Sequence, residues 1–232
     1  MFACFLALDK SRYLCWASRY LLFCALFAIL LSAPGAVPAE KTARLLVIGD
    51  SLAAGYGLPA NEAFTTRLEA ALTRSGHRVR VINAGVSGDT SAGGRARIAW
   101  SLANKPDAVL VELGANDGRR GLEPAATKAN LDAILSQIES AGAEVLLTGM
   151  LAPPNLGREY GAEFAALYPA LARRHGVLFY PFFLEGVATR PELNQADRIH
   201  PNAAGVDIIV ARLLPKVKKL LQRVQNKKES GR

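Results

Sequence analysis

The chain has 232 residues, enough for one large domain with short extensions. Hydrophobic residues make up 50% of it and charged residues 21%, a composition that excludes a disordered or collagen-like protein. All three cysteines, Cys4, Cys15 and Cys24, lie near the N-terminus. The remaining chain therefore holds no disulfide scaffold, no thiolate zinc site and no cysteine nucleophile.

The net charge of +8 is concentrated at the C-terminus. Residues 216–232 carry seven basic residues and one acidic residue, whereas residues 40–215 are neutral overall. Because a nucleic-acid-binding face needs basic charge clustered on the fold itself, this distribution argues against nucleic acid as a partner. We interpret 216–232 as a basic, solvated helix end, with transient contact to an anionic membrane surface as the alternative.

Residues 1–39 have the order of features found in a secretory signal peptide. Basic residues precede an uncharged apolar run over 20–31, and small residues and prolines follow it. We expect cleavage after Ala39 and a periplasmic or secreted location, where a mature chain without cysteine cannot mispair. An uncleaved membrane anchor is the alternative, although Pro34 shortens the apolar run below a full membrane span.

Short apolar runs recur along the remaining chain and predict five strands. Each run is rich in Val, Ile and Leu, as expected of strands that helices cover on both faces. The predicted strands are Ala43–Ile48, Arg78–Ile82, Ala108–Leu113, Glu144–Thr148 and Val177–Tyr180.

Amphipathic stretches between these runs predict helices. The predicted helices are Phe64–Ser75, Ala125–Ser140, Phe164–Arg174 and Ala203–Gln225, the last with a kink at Pro215. Gly76, Gly142 and Gly176 follow the first three, where a helix C-terminus favours a left-handed residue. The alternation of strands and helices predicts a parallel sheet between two helical layers, with the neighbour of the fifth strand left open.

Candidate reactive residues follow the predicted strands or precede the last helix. In a parallel α/β fold such residues meet at the carboxyl edge of the sheet. The candidates are Ser51 after the first strand, Gly88 after the second, Asn116 after the third, and Asp197 and His200 before the final helix.

A serine hydroxyl becomes an effective nucleophile only when a base takes its proton. His200 is the candidate base, because His77 and His175 precede predicted strands and so belong to the opposite edge of the sheet. Asp197 stands three residues before His200, so one turn can place its carboxylate on the imidazole. There it would fix the tautomer and stabilise the charged ring.

The tetrahedral oxyanion formed in acyl transfer needs two or three hydrogen-bond donors. The N–H groups of Ser51 and Gly88 and the side-chain amide of Asn116 are available for this role. Each short motif is common in loops when it occurs alone. Their joint occurrence in this order, each at a strand end or helix entry, predicts a serine hydrolase.

Four sequence blocks resemble the SGNH hydrolases, the lipases and esterases named for Ser, Gly, Asn and His. The blocks are LLVIGDSLAAGYGL (45–58), INAGVSGDTSAGG (82–94), VLVELGANDGRRGL (109–122) and ADRIHPNAAG (196–205). With the segment 150–172 they resemble a bacterial periplasmic branch of acyl-CoA thioesterases, arylesterases and lysophospholipases. The resemblance covers about residues 43–215.

The resemblance implies a three-layer α/β/α, flavodoxin-like sandwich with strand order 2-1-3-4-5, in a domain over 40–215. It implies that Ser51 is the nucleophile, His200 the base and Asp197 the orienting acid. It also implies an oxyanion hole made by Ser51, Gly88 and Asn116, and a reaction that needs neither a metal ion nor an organic cofactor. One departure is Arg198, where the family usually has glycine.

The acyl-binding region is expected in the loops at 118–122 and 151–160, which flank the serine in this branch. Candidates for an apolar slot, with ordinary loop packing as the alternative, are Leu151, Pro153, Pro154 and Tyr160. The pair Arg119 and Arg120 faces either a phosphate group of lysophospholipid or CoA, or solvent.

We therefore predict a monomeric serine hydrolase that acts on small acyl esters, thioesters or lysophospholipids. A carbohydrate O-acetylesterase of the same fold is the alternative, against which the apolar segment 150–154 argues. A non-catalytic binding module, including a phosphate-binding flavodoxin-like one, is the alternative from another class. It leaves His200 and Asn116 without a role.

Overall fold

The structure is a computed structural model that describes residues 42–231. The predicted signal peptide, residues 1–39, lies outside the described residues. Within them all five predicted strands are confirmed, with ends that differ by at most three residues. The strands are Ala43–Gly49 (β1), Val79–Gly85 (β2), Ala108–Glu112 (β3), Glu144–Thr148 (β4) and Leu178–Tyr180 (β5).

The described helices include all four that the sequence predicts. They are Ser51–Ala54 (α1), Phe64–Arg74 (α2), Ser91–Leu102 (α3), Ala115–Arg119 (α4), Pro124–Ser140 (α5), Arg158–His175 (α6) and Ala203–Ser230 (α7). Short 3-10 turns occur at Pro154–Leu156 and Pro191–Leu193. Helix α6 begins six residues before the predicted start at Phe164.

Helix α3 was not predicted, because its sequence SAGGRARIAWSL contains two adjacent glycines and a weak apolar pattern. Two features, one local and one tertiary, stabilise it. The Thr90 side chain caps its start by accepting a hydrogen bond from the Gly93 N–H. Gly94 packs so closely on Leu113 that any Cβ there would collide with the leucine side chain. The helix therefore depends on its cap and its packing more than on intrinsic propensity.

The sheet is parallel throughout, with strand order β2-β1-β3-β4-β5. This order confirms the flavodoxin-like topology and places β5 beside β4, the neighbour that the sequence pattern left open. Gly49 at the end of β1 pairs with Gly85 of β2 and Glu112 of β3. The carboxyl ends of the three strands are therefore level, and the residues that follow them meet at one edge.

Helices cover the sheet on both sides, which confirms the three-layer sandwich. Helices α2 and α7 pack against each other on one face, and α3, α5 and α6 form the other layer. The central strands are buried between them, with Leu46, Leu110 and Leu146 fully inaccessible. Each such side chain stabilises the fold by about 1.5–3 kcal/mol, so the sheet is a rigid platform for its carboxyl edge.

The C-terminal helix α7 continues through Pro215 without a break. Val217, Leu220 and Val224 on its inner side are buried in the core. The interpretation of all of 216–232 as a solvated helix end is therefore wrong for the part up to Val224, because these apolar residues repeat at helical spacing. In the described part of the chain no helix is both long and apolar enough to span a membrane.

Candidate active site

Ser51 stands at the junction between β1 and α1. Strand β1 ends at Gly49, where a Cβ would collide with the Glu112 side chain, so this close approach requires glycine. Asp50 then caps α1, because its Oδ1 accepts a hydrogen bond from the Leu52 N–H at 2.9 Å. The Ser51 side chain, in a residue only 8% exposed, lines the main cavity at the carboxyl edge.

His200 connects Ser51 to Asp197. The Nε2 atom of His200 lies 2.9 Å from Ser51 Oγ, and its Nδ1 lies 2.6 Å from Asp197 Oδ2. The other carboxylate oxygen of Asp197 accepts the backbone N–H groups of Ile199 and His200 at 2.9 and 3.0 Å. These bonds hold the ring in an orientation that can carry a proton from the serine hydroxyl to Nε2.

The Asp197 carboxylate is held in its charged form. Partial burial raises its pKa, but hydrogen bonds from the His200 side chain and from the N–H groups of His200 and Ile199 outweigh this and lower the pKa to about 2. A carboxylate opposite Nδ1 keeps a proton on that nitrogen. Nε2 is then free to accept the proton of Ser51.

The His200 ring also packs against an aromatic neighbour. The Tyr56 ring lies with its centroid 4.6 Å from that of His200. Gln195 ties the two segments together, since its side-chain amide donates to the Tyr56 carbonyl at 2.8 Å and to the Pro201 carbonyl at 3.0 Å. Sequence analysis assigned no role to Tyr56, although it lies in the block 45–58, or to Gln195, because neither residue type indicates a chemical role from its position in the sequence.

Asn116 is the second residue of α4, and Gly114 is the residue directly before this helix. Gly114 has a φ of 110°, a left-handed conformation that glycine adopts without strain. The Nδ2 atom of Asn116 donates to Asp50 Oδ2 and to the Asp89 carbonyl, both at 2.9 Å. The structure thus aims the amide at the turn that carries Ser51.

Gly88 lies in the loop after β2 and has a φ of 84°. Its carbonyl accepts a hydrogen bond from Arg120 Nη2 at 3.0 Å, which ties this loop to the end of α4. Within residues 42–231 neither the Gly88 N–H nor the Ser51 N–H donates to another residue. Ser51 and Asn116 line the main cavity, whereas Gly88 lies outside its lining.

A half-buried arginine of α3 supports this edge of the sheet. Arg97 donates from Nη2 to the Gly49 carbonyl at 2.9 Å, from Nη1 to the Ala84 carbonyl at 2.6 Å, and from Nε to Asp89 at 2.7 Å. One guanidinium therefore joins the ends of β1 and β2 to the loop that contains Gly88. Sequence analysis missed Arg97, because helix α3 itself was not predicted.

Asp117, next to Asn116, anchors α4 to the helices behind it. Its two carboxylate oxygens accept hydrogen bonds from the Ser91 N–H and hydroxyl and from the Thr127 hydroxyl. The side chain is buried, with 1% of the residue exposed. These bonds hold α4 in place and so position Asn116.

Glu112, at the end of β3, is a fully buried acid behind the Ser51 turn. Its Oε2 accepts the Asp50 N–H at 3.2 Å, and its Oε1 has no hydrogen-bond partner among the described residues. Burial, followed by the nearby Asp50 charge, raises the pKa of Glu112 well above its usual range. The neutral acid is therefore the stable form at this position.

Asp50 also carries a raised pKa. Burial raises the pKa of Asp50 to about 6, although the hydrogen bond from the Leu52 N–H and the nearby His200 act in the opposite direction. Sequence analysis gave Asp50 no chemical role and missed Glu112 entirely. One acidic residue at the end of an apolar strand does not indicate whether its side chain is buried.

The main cavity, which Ser51 lines, has a volume of about 570 Å³, within the range of small-molecule sites. Of the four residues predicted to line an apolar slot, Leu151, Pro153 and Pro154 do so. The prediction for Tyr160 is wrong. The Tyr160 hydroxyl donates to the Leu122 carbonyl at 2.6 Å and its ring stacks on a neighbouring phenylalanine, so it supports the loop instead.

A second wall of the cavity comes from the segment that follows β5. Phe182, Leu184 and Ala188 line the cavity from this segment, together with Glu185. Sequence analysis missed them. The available signal was the apolar string FFLEG directly after the fifth strand, at the edge where substrate-binding loops of this fold lie.

Arg119 and Arg198 line the cavity, whereas Arg120 is bound to the Gly88 carbonyl. Arg198 has a φ of 60°, in the left-handed region that favours glycine. The departure from the family's usual glycine therefore leaves the turn geometry in place. The relay between Asp197 and His200 forms around an arginine in a glycine-type conformation.

The sequence matches the GDSL-like Lipase/Acylhydrolase family over residues 47–208. The chain belongs to this family, which confirms the resemblance to the SGNH hydrolases and the class of enzyme. It is a serine hydrolase of the esterase and thioesterase type.

Two similar proteins and one solved structure show the extent of this similarity. The chain is 43% identical over 178 residues to Esterase TesA of Pseudomonas aeruginosa, covering 76% of this chain and 89% of that protein. It is 44% identical over 159 residues to thioesterase 1/protease 1/lysophospholipase L1 of Escherichia coli K12, covering 68% and 75%. A crystal structure of TesA matches with a TM-score of 0.73 and 42% identity, covering 76% of this chain and 99% of that chain.

Proposed function

We propose that this enzyme hydrolyses carboxylic esters and thioesters, of the aryl ester, acyl-CoA and lysophospholipid kinds, through an acyl-enzyme on Ser51. Ser51 Oγ attacks the carbonyl carbon while His200 Nε2 takes its proton, and the leaving alcohol or thiol departs with that proton. Water then releases the acid by the same route. The observation that carries the proposal is the distance of 2.9 Å between Oγ and Nε2 of two residues that line a mostly apolar cavity.

The oxyanion would be stabilised by the N–H groups of Ser51 and Gly88 and by Asn116 Nδ2. Support comes from the two N–H groups that donate to no other described residue and from the direction of the Asn116 amide. Because Nδ2 donates to Asp50 and Asp89, the oxyanion would share or replace one of these acceptors.

The acyl chain would occupy the cavity of about 570 Å³. Each buried methylene contributes about 0.8 kcal/mol, so we expect kcat/KM to rise with chain length. An acetyl group would leave most of this volume to water, which argues against a carbohydrate O-acetylesterase. A non-catalytic binding module would have no use for the hydrogen-bonded relay of Ser51, His200 and Asp197.

The setting of the enzyme is also part of the proposal. Residues 1–39 would direct export to the periplasm or beyond and then be removed, and the enzyme would act as a monomer. The surplus basic charge of 216–232 favours transient contact with an anionic membrane. The mass of the exported protein tests the first point, because retention of residues 1–39 would indicate an anchor.

The test is hydrolysis of p-nitrophenyl esters, from acetate to palmitate, by the purified protein. We expect rates that rise beyond acetate and that disappear in Ser51→Ala, but not in the control Ser136→Ala, an exposed serine of α5. Turnover of acetate alone would favour the O-acetylesterase. A folded protein with no Ser51-dependent turnover of any ester or thioester would refute the hydrolase.

A further inference from the structure

Two arginines line the same cavity as Ser51, and neither has an acidic partner. Arg119 is the last residue of α4, and Arg198 lies between Asp197 and His200. Both residues are exposed. Neither side chain forms an ion pair or a hydrogen bond with any residue in the described range 42–231. Their charges are therefore available to a ligand in the cavity.

The acidic residues of the cavity do not offset these charges. Glu185 Oε1 lies 3.7 Å from Nη1 of Arg212, and Arg212 does not line the cavity. Glu185 also accepts a hydrogen bond from the Tyr180 hydroxyl. Asp50 is 1% exposed, bonded to Leu52 and Asn116, and has a pKa raised by burial to about 6. The cavity thus combines an apolar lining with two unpaired positive charges.

The backbone at Arg198 adds an independent observation. A non-glycine residue at a φ of 60° is disfavoured by about 1–2 kcal/mol. Strained backbone conformations of this kind cluster at active sites and ligand-binding sites. Glycine at this position would remove the strain and also the charge.

We propose that Arg119 and Arg198 bind a phosphate group on the leaving part of the substrate while the acyl chain lies against the apolar lining. The planar guanidinium donates paired hydrogen bonds that match phosphate oxygens. This inference rests on the proposed function and narrows its substrates to acyl compounds that carry phosphate. The phosphate belongs either to CoA or to a lysophospholipid headgroup.

The experiment compares pairs of substrates with the same lauroyl chain. Lauroyl-CoA is paired with lauroyl-N-acetylcysteamine, and lauroyl-lysophosphatidylglycerol with monolauroylglycerol. For the phosphate-bearing member we expect kcat/KM to fall about three-fold in Arg119→Gln or Arg198→Gly and about ten-fold in the double variant, as exposed charge pairs imply. The loss should be in KM, and the neutral member should change less than two-fold.

Two matched variants serve as controls. One tests the loss of a positive charge away from the cavity, and the other tests the relief of backbone strain at the cavity. Arg74→Gln removes one exposed positive charge at the end of α2, away from the cavity. Thr189→Gly relieves a φ of 65° at a neutral residue that lines the same cavity. Both should keep the wild-type preference for phosphate. Arg198→Gly relieves strain, so loss of the fold should not obscure its result.

The outcomes distinguish the inference from the proposed function. A selective loss with the CoA pair alone supports CoA as the phosphate source, and a selective loss with the lysophospholipid pair alone supports the headgroup. Equal losses on phosphate-bearing and neutral substrates, or no loss on either, would overturn the inference while the hydrolase stands. If wild-type protein shows no Ser51-dependent turnover even of neutral substrates, the proposed function fails, and the inference with it.

Discussion

Two histidines of this protein lie between hydrogen-bonding partners, but their partners differ in one respect. His200 has the Asp197 carboxylate at Nδ1 and the Ser51 hydroxyl at Nε2. His175, the last residue of α6, has Glu139 at 3.0 Å from Nδ1 and Asp132 at 2.8 Å from Nε2. A hydroxyl can donate a proton to the ring, whereas a carboxylate can only accept one near neutral pH.

The second partner therefore decides what each ring can do. Burial lowers the pKa of His175, but the hydrogen bonds and charges of Asp132 and Glu139 outweigh it and raise the pKa above 6.5. The two carboxylates favour the protonated form of His175, which joins α6 to α5. Arg174 lies 3.1 Å from Asp132 in the same cluster. His200 retains an acceptor nitrogen directed at Ser51, the requirement for a general base.

The largest expected difference is in kcat between variants of the two histidines themselves. We expect His200→Ala to lower kcat on a p-nitrophenyl ester by about 10⁵–10⁶-fold, because the serine loses its base. His175→Ala should keep kcat within about two-fold and lower the melting temperature. Steady-state kinetics and thermal unfolding of both variants provide the measurement. A folded His175→Ala variant with a comparable loss of kcat would contradict the distinction.

A smaller difference in kcat is expected between variants of the two aspartates that contact these rings. Asp197→Asn replaces an acceptor opposite Nδ1 with an amide that favours the wrong tautomer, so we expect a fall in kcat of about 10³–10⁴-fold. Asp132→Asn makes the same chemical change at His175 and should leave kcat unaltered. Rates measured at saturating substrate test this. The contrast fails if Asp197→Asn retains near wild-type turnover.

The smallest expected effect is on the melting temperature and its dependence on pH. Because the folded pKa of His175 is raised, its contribution is fully present below the unfolded pKa of about 6.5 and is lost as pH rises through the folded value. We expect wild type to melt about 2–4 °C above His175→Gln at pH 6, with the gap closing at higher pH. Thermal unfolding measured across about pH 5–9 gives this gap in melting temperature. A gap that widens with rising pH would contradict the proposed cation.

Much of the fold and of the relay followed from local patterns. Strand β1 and the reactive Ser51 after it could be predicted, because the apolar run and the serine are adjacent in sequence. Asp197 and His200 were readable because they are three residues apart and lie on one turn. Helix α3 was not, since its glycines make a poor helix pattern and its stability comes from Thr90 and from packing on Leu113.

The supporting residues of the site could not be predicted in the same way. Arg97 and Glu112 are an ordinary arginine and glutamate by sequence, and their roles arise from contacts with Gly49 and Asp50. Tyr160 was assigned to the acyl slot from its loop, but its side chain turns to the Leu122 carbonyl. Side-chain direction in a loop depends on partners that are remote in sequence.

The amino-acid sequence by itself determined the parallel sandwich, the edge at which chemistry occurs and the identity of the residues in the relay. Apolar periodicity and short motifs are local properties, and parallel topology brings all strand ends to one edge. Only the tertiary structure decided which charged groups are buried, which loops wall the cavity and that Arg198 keeps a glycine-type turn. Burial and charge pairing depend on contacts between distant segments, which no local pattern encodes.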